Sequence, residues 1–141
     1  MARIKIELPE KFVFSTEITI LINNINRGNH LSYDSLLPMM EETRIRFMRS
    51  LGYQQENVNG AAFIVADVAV VYKKQGRHGQ VLKLEIAPVD FSKSGLDLVF
   101  RITDRDSGEE IARSKMGVLF FDYRQQKVVA VPDEFKQRFA G

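Results

Sequence analysis

Residues able to carry out acyl-transfer chemistry cluster immediately before the longest helical pattern of the chain. They are Asn24, Asn26, His30 and Asp34. A helix N-terminus has free backbone amides and a partial positive charge. An ester or thioester carbonyl placed there would be polarised as in an oxyanion hole. In the alternative interpretation, Asp34 or Ser35 only caps the helix, and the asparagines only satisfy turn backbone.

Two adjacent carboxylates, Glu41 and Glu42, are predicted in the second turn of the same helix. Glu42 and Arg46 are four residues apart, and Glu41 and Arg44 are three apart, which is the spacing of surface ion pairs. The functional alternative is a carboxylate that leans into the site, and Glu42 is therefore kept as a candidate catalytic residue.

A basic loop follows further along the chain. Residues 73–83 contain Lys73, Lys74, Arg77 and Lys83 and no acidic residue. The loop is either a solvated turn or a dock for a polyphosphate, to which lysine and arginine donate charge-assisted hydrogen bonds. A Gly-x-x-x-x-Gly-Lys loop is absent, so nucleotide hydrolysis is not supported.

Composition excludes several other classes of site. The chain has 141 residues, enough for one domain, with 45% hydrophobic and 27% charged residues. It has no cysteine and two histidines, which excludes disulfides, thiolate nucleophiles and a His-rich zinc site. A formal charge of +2 argues against nucleic acid as a partner. No apolar run suits a membrane span or a signal peptide, so we expect a cytoplasmic protein.

The helix that positions the first cluster is predicted from periodicity. Apolar residues recur at steps of three or four from Leu36 to Leu51. Pro38 must lie in the first turn, because proline lacks an amide hydrogen and clashes with a preceding turn. The helix is therefore expected to begin near Asp34–Ser35 and to stop at Gly52.

Strands are predicted on both sides of this helix, from alternating or continuous apolar patterns. They span residues 12–22, 61–72, 80–89, 95–104, 110–123 and 127–131. A turn at 104–109 makes a hairpin, and Pro132 opens a short terminal helix with Phe135 and Phe139 on one side. Short connections imply antiparallel pairing, and one long helix on one sheet implies an α+β fold.

The strand at 61–72 is apolar on both faces apart from Asp67. Because one helix covers only one face of the sheet, we expect this strand at a subunit interface, paired edge to edge in a two-fold dimer. The alternative is a central strand of a monomer. Asp67 itself is a candidate base if buried, or it faces solvent or an interface partner.

Three short motifs carry a resemblance to a known family. They are GNHLSYD at residues 28–34, EETRIRF at 41–47 and LGY at 51–53. They resemble the hotdog-fold acyl-CoA thioesterases of the 4-hydroxybenzoyl-CoA thioesterase type, whose pattern runs Asp-x-Asp-x-x-Gly-His, Glu-x-Ala-Arg and Leu-Gly. The resemblance covers about residues 10–139.

This resemblance implies a single domain, residues 1–141, in which a long helix is wrapped by an antiparallel sheet of five or six strands. It also implies a homodimer or homotetramer with sites at the dimer interface, and CoA or acyl-carrier thioesters as substrates. Its two acids before the glycine correspond here to Asn24 and Asn26. Asparagine orients water or holds a carbonyl, but it cannot accept a proton at neutral pH.

Residues 24–30 also resemble a second pattern of the same fold. Enoyl-CoA hydratases carry Asp-x-Asn-Pro-x-His, which residues 24–30 echo with one extra residue and with asparagine where the catalytic acid belongs. Hydration needs that acid–base pair, so its loss counts against this activity.

The sequence therefore predicts an acyl-CoA thioesterase that needs no metal or organic cofactor. Asp34 is expected to act as general base or nucleophile, with Asn26 and His30 holding the carbonyl or water and Asn24 in support. The carbonyl would bind at the amides of residues 34–36, which include Ser35. Non-catalytic acyl-CoA binding by the same fold is the second prediction, and a structural dimer without a ligand is the third.

Two expectations concern the substrate. Lys73, Lys74 and Arg77 are predicted to contact the CoA phosphates. The depth of the acyl pocket is expected to depend on a small set of apolar residues, namely Met40, Phe47 and Phe63.

Overall fold

A computed structural model describes residues 3–54 and 57–139 as one antiparallel sheet packed against one long helix. In chain order the elements are β1 (Phe14–Thr19), a 3-10 turn (Ile22–Asn24), α1 (Leu36–Ser50), β2 (Ala62–Tyr72), β3 (Val81–Val89), β4 (Gly95–Asp104), β5 (Glu110–Asp122), β6 (Lys127–Val129) and α2 (Asp133–Phe139). The strand order is β1-β3-β4-β5-β2, and β6 pairs with β5. The α+β class and each predicted strand are confirmed.

The first strand is shorter than predicted. β1 ends at Thr19, not at residue 22, and Ile22 is 66% exposed in the 3-10 turn. The Asn24 side chain explains the early end, because its Oδ1 accepts the Leu21 amide hydrogen at 2.8 Å. Asparagine thereby offers the backbone an alternative to the strand ladder, and the chain turns away from the sheet.

Helix α1 begins and ends where its sequence signals predict. Ser35 is the N-cap residue, and Pro38 lies in the first turn, where no intrahelical amide is needed. After the helix, Gly52 adopts a φ of +91°, a left-handed conformation that glycine enters without steric cost. The buried face of the helix comprises Leu36, Met39, Met40, Thr43, Arg44, Phe47 and Met48.

The core lies between α1 and one side of the sheet, which we call the inner side. β3, β4 and β5 contribute alternate buried residues to it, such as Leu84, Phe100 and Phe120. An aromatic cluster closes one end, where Phe135 of α2 packs on Phe120 at a ring distance of 5.5 Å and on Phe63 at 5.8 Å. The predicted terminal helix is thus confirmed, and both Phe135 and Phe139 pack toward the core.

The other side of the sheet, the outer side, is partly covered by the chain before β1. Arg113 Nη1 donates a hydrogen bond to the Ile6 carbonyl oxygen at 3.1 Å, and the Arg101 guanidinium lies 5.0 Å from the Phe12 ring centre. Within the described ranges, no helix is long and apolar enough to cross a membrane.

β2 lies at one edge of the sheet, where it pairs only with β5. The alternative of a central strand is therefore wrong for the protomer. Val65 and Val68, in the middle of β2, are 43% and 41% exposed. An exposed, apolar edge strand agrees with the predicted interface position.

Candidate active site

The loop between the 3-10 turn and α1 is closed by hydrogen bonds of its own. The Asn26 amide donates to the His30 carbonyl oxygen at 3.0 Å, and Asn26 Oδ1 accepts the Gly28 amide hydrogen at 2.9 Å. Asn29 has a φ of 62°, which asparagine tolerates better than most residues. The result is a tight turn that carries Asn26 and His30 to the wall of one cavity.

The facing wall is the loop between β2 and β3. The Leu31 amide donates to the Gly76 carbonyl oxygen at 2.8 Å, which ties the two loops together. Gly76 is buried, and a Cβ at this position would lie 2.8 Å from Ile20 Cδ1 and 3.1 Å from Leu31 Cβ. Only glycine lets the second loop come this close to the first.

A cavity of about 640 Å³ opens between these loops. Asn26, His30, Leu31 and Tyr33 line one side, and residues 72–77 line the other. The structure therefore brings the predicted basic loop and part of the predicted polar cluster to the same opening, although more than forty residues separate them in the chain.

The cavity wall carries positive charge that is only weakly compensated. Lys73 Nζ and Lys74 Nζ lie 3.8 and 3.9 Å from glutamate oxygens, at the limit of an ion pair. Arg77 donates to two neutral groups, Gln75 Oε1 at 3.0 Å and the Asn29 carbonyl oxygen at 3.5 Å. An anionic group at this wall would therefore be attracted by all three cations.

Asp34 is exposed and is not among the residues that line the cavity, although it directly follows Tyr33, which is one of them. Its Oδ1 accepts a hydrogen bond from Ser32 Oγ. The N-cap residue Ser35 makes no side-chain hydrogen bond to the helix, so the cap expected from it is absent. The amides in the first turn of α1 are therefore not occupied by that side chain.

Tyr72, at the end of β2, connects the loop that carries Tyr33 and Asp34 to the sheet. Its hydroxyl donates a hydrogen bond to the Tyr33 carbonyl oxygen. Burial raises the pKa of Tyr72, and the charges of Asp34 and Tyr33 raise it further, so the phenol remains the protonated donor at neutral pH. Tyr72 thus holds the residue that precedes Asp34.

Comparison with known proteins identifies the group to which this architecture belongs. The sequence profile of the thioesterase-like superfamily matches residues 20–139. The chain belongs to the thioesterase-like superfamily. No curated protein sequence matches it significantly.

Solved structures of similar shape include two thioesterases. A 1,4-dihydroxy-2-naphthoyl-CoA thioesterase from Synechocystis has a TM-score of 0.80 and 14% identity, over 90% of this chain and 95% of that one. A 12:0-ACP thioesterase from Umbellularia californica has a TM-score of 0.77 and 16% identity, over 90% of this chain and 49% of that one. These similarities confirm the predicted hotdog fold.

Besides Asp34 and Ser35, two predicted residues of this thioesterase-like chain, Asn24 and Glu42, lie outside the cavity wall. Asn24 is turned to the backbone of Leu21, where it ends β1. Glu42 binds Arg46 at 2.7 Å, and Arg46 in turn donates to the Glu17 carbonyl oxygen on β1. The ion pair predicted for Glu42 is confirmed, and its carboxylate is held on the β1 side of the helix.

Three further expectations can be compared with the structure. Asp67 is exposed, so the burial that would make it a candidate base is absent. Met40, Phe47 and Phe63 are packed in the core and do not line the cavity. Glu41 pairs with the buried Arg44 at 2.7 Å, as its spacing predicts.

Tyr33 and Tyr72 were not predicted as site residues. Tyr72 is the last residue of the strand predicted from the sequence, and its phenol combines an apolar ring with a hydrogen-bond donor. A phenol at the end of a strand is the only local feature of the sequence that could have marked Tyr72 as a site residue. Its contact with Tyr33, 39 residues earlier, follows from the topology and has no signature in the sequence.

Proposed function

We propose that the protein hydrolyses acyl thioesters of CoA or of an acyl carrier at the cavity beside the start of α1. Membership of the thioesterase-like superfamily supports this class of reaction. The observation that carries the proposal is the cavity itself, where Asn26 and His30 face a basic loop and where Tyr33, which directly precedes Asp34, is part of the wall. The two neighbours described above are named for a CoA thioester and a carrier thioester.

The thioester carbonyl oxygen would accept hydrogen bonds from amides in the first turn of α1, where the helix dipole also favours developing negative charge. Asp34 would take a proton from water while the water oxygen attacks the carbonyl carbon. The carbon–sulfur bond then breaks and the thiolate leaves. Direct attack by Asp34, through an anhydride that water later opens, is the other route. Asn26 and His30 would orient the carbonyl or the water.

The CoA part of the substrate would lie against the other wall of the cavity, which is the basic loop. Lys73, Lys74 and Arg77 would contact CoA phosphates, because their charges are weakly compensated and lie around the cavity. We further propose a homo-oligomer formed through the exposed edge of β2 and, from the sequence, a cytoplasmic location.

The test is release of free CoA from a panel of acyl-CoAs, followed with a thiol reagent. The protein has no cysteine, so only the released thiol reacts. Asp34→Asn should lower kcat by about 10²- to 10⁴-fold, the usual effect of a general base. Asp106→Asn, an exposed acid in the turn between β4 and β5, is the matched control and should turn over normally. Full activity in Asp34→Asn would refute the assigned role.

Non-catalytic binding of acyl-CoA is the second candidate, and one observation favours it. Asn24 and Asn26 are neutral, and each accepts a backbone amide hydrogen through its Oδ1. Saturable binding of acyl-CoA with no CoA released would support this candidate over the hydrolase. An absence of both binding and turnover would leave a structural dimer.

A further inference from the structure

The segment that joins Leu31 to the start of α1 contains Asp34, and packing does little to fix its middle. Leu31 and Leu36, at its ends, are buried, whereas Tyr33 is 77% exposed and Asp34 is exposed. An exposed side chain makes few contacts that could hold its backbone in one place. The position of Asp34 therefore depends on hydrogen bonds to the backbone of this segment.

These hydrogen bonds come from two different parts of the fold. The Ser32 amide donates to the Asn24 carbonyl oxygen at 2.9 Å, and the Ser35 amide donates to the Ser32 carbonyl oxygen at 3.0 Å. Both bonds lie within the stretch of chain between β1 and α1, so they shape the segment itself. The bond from the Tyr72 hydroxyl to the Tyr33 carbonyl oxygen comes from β2 instead. It therefore fixes the segment relative to the sheet.

The bond to Tyr33 acts on Asp34 through a planar peptide unit. The Tyr33 carbonyl and the Asp34 amide belong to one peptide group, whose atoms from Cα to Cα lie close to a plane. Fixing the oxygen therefore restricts where the Asp34 Cα can lie. The carboxylate is also close to the phenol, because burial is the main cause of the raised pKa of Tyr72 and the charge of Asp34 is the next.

Tyr72 is rigidly placed with respect to the cavity. Its backbone lies in the ladder between β2 and β5, opposite Ala112, and its ring lines the cavity next to Lys73 and Lys74. Groups that act on a substrate must be held to within about 0.5 Å of the productive geometry. A hydroxyl that ties the neighbour of Asp34 to this strand end sets the distance between the carboxylate and the cavity wall.

We infer that Tyr72 is a positioning residue for the proposed hydrolysis, and that its hydroxyl places the Asp34 carboxylate where it can take a proton from the attacking water. Tyr72 itself neither gains nor loses a proton in this step, because it acts through the Tyr33–Asp34 peptide. The inference rests on the proposed function, since it needs Asp34 to act on a substrate.

The first test is Tyr72→Phe, which removes the hydroxyl and keeps the ring. We expect kcat for acyl-CoA to fall about 10- to 100-fold, because misplacing a reacting group by about 1 Å has effects of this size. KM should stay nearly unchanged, because the ring and the cations of the cavity wall remain. The control is Tyr123→Phe, which keeps the ring contact with Phe121 in the turn after β5 and should match the unmodified protein. A raised KM with normal kcat would mean that the phenol contacts the substrate directly, and would overturn the inference.

A double-mutant comparison separates positioning of Asp34 from a general effect on the fold. In the Asp34→Asn background, Tyr72→Phe should have little further effect on the residual kcat, because residues that act as a unit are not additive. If Tyr72→Phe causes the same loss with and without Asp34, it does not act through that carboxylate, and the inference fails.

Hydrogen exchange measures the same contact without any substrate. The Ser35 amide should exchange about three- to tenfold faster in Tyr72→Phe, because one hydrogen bond that limits local opening is lost. The Gly79 amide, which donates to the Ile20 carbonyl oxygen at 2.9 Å, should exchange at the same rate in both proteins. Equal rates at Ser35 would overturn the inference.

The inference and the proposed function fail differently. An unmodified protein that releases no CoA, with faster exchange at Ser35 in Tyr72→Phe, would refute the hydrolase and leave the contact between the sheet and the segment established. Normal CoA release by Tyr72→Phe would refute the positioning role and leave the hydrolase in place.

Discussion

Replacement of Gly76 by alanine tests whether the two cavity loops depend on close backbone approach. The new Cβ would lie 2.8 Å from Ile20 Cδ1 and 3.1 Å from Leu31 Cβ. Ile20 is fully buried, so its side chain has little room to move aside. Overpacking of this kind costs about 1–3 kcal/mol. Since folded domains have a stability of about 5–15 kcal/mol, the variant should remain folded but unfold more easily.

The cause of this loss can be separated from other effects of the substitution. Ile20→Val removes the Cδ1 methyl that the new Cβ would meet. Alone it should cost about 0.5–1.5 kcal/mol as a buried deletion. Combined with Gly76→Ala it should cost less than the sum, with a coupling of about 1 kcal/mol. Relief is partial, because the contact with Leu31 Cβ remains.

The assay is the free energy of unfolding from urea titrations, at one fixed protomer concentration because subunit pairing would shift the midpoint. The control is Ile86→Val, which removes the same methyl from a fully buried isoleucine near the other end of β1. Its effect should add to that of Gly76→Ala. If Ile20→Val also proves additive, the clash at Gly76 is not the source of the loss, and the reasoning fails.

Two further predictions concern charge. Lys74→Glu combined with Arg77→Glu should raise KM for CoA esters about tenfold and leave KM for short synthetic thioesters unchanged. Equal effects on the two kinds of substrate would refute the binding of CoA phosphates by this loop. Burial raises the pKa of Asp97 above 3.8. The negative charges of Asp90 and Asp67 raise this pKa further, and the positive charge of Lys115 lowers it. The folded state therefore favours protonated Asp97, and this stability is lost as pH rises through the raised pKa. Asp97→Asn should raise the unfolding midpoint at pH 7 but hardly at pH below 3.8, and a pH-independent difference would contradict this cause.

The fold was largely predictable because its signals are local. The proline and glycine at the ends of α1, the period of its apolar residues and the turn at residues 104–109 each act within a few residues. The largest boundary error, at the end of β1, arose because a polar side chain overrode an apolar alternation. Asn24 competes for the Leu21 amide, and no count of isoleucines reveals that bond.

The candidate site was predictable only in part, because its walls come from different parts of the chain. The types of Asn26, His30 and the basic loop marked them as candidates, but their shared cavity depends on the Leu31–Gly76 hydrogen bond. Glu42 was a candidate by type and position along the helix. Its direction was decided by Arg46, whose other partners on β1 are distant in sequence.

The structure also explains why a neutral residue can stand where a thioesterase of the resembled family has an acid. Asn26 uses its Oδ1 to accept the Gly28 amide hydrogen, and an aspartate oxygen accepts the same bond with nearly the same shape. The turn therefore tolerates either residue, and its stability does not require asparagine or aspartate in particular. The chemistry differs, because only the acid can take a proton. With amides at 24 and 26, the proposed mechanism assigns the general base to Asp34, whose carboxylate accepts a hydrogen bond from Ser32 at the end of the loop that Tyr72 anchors.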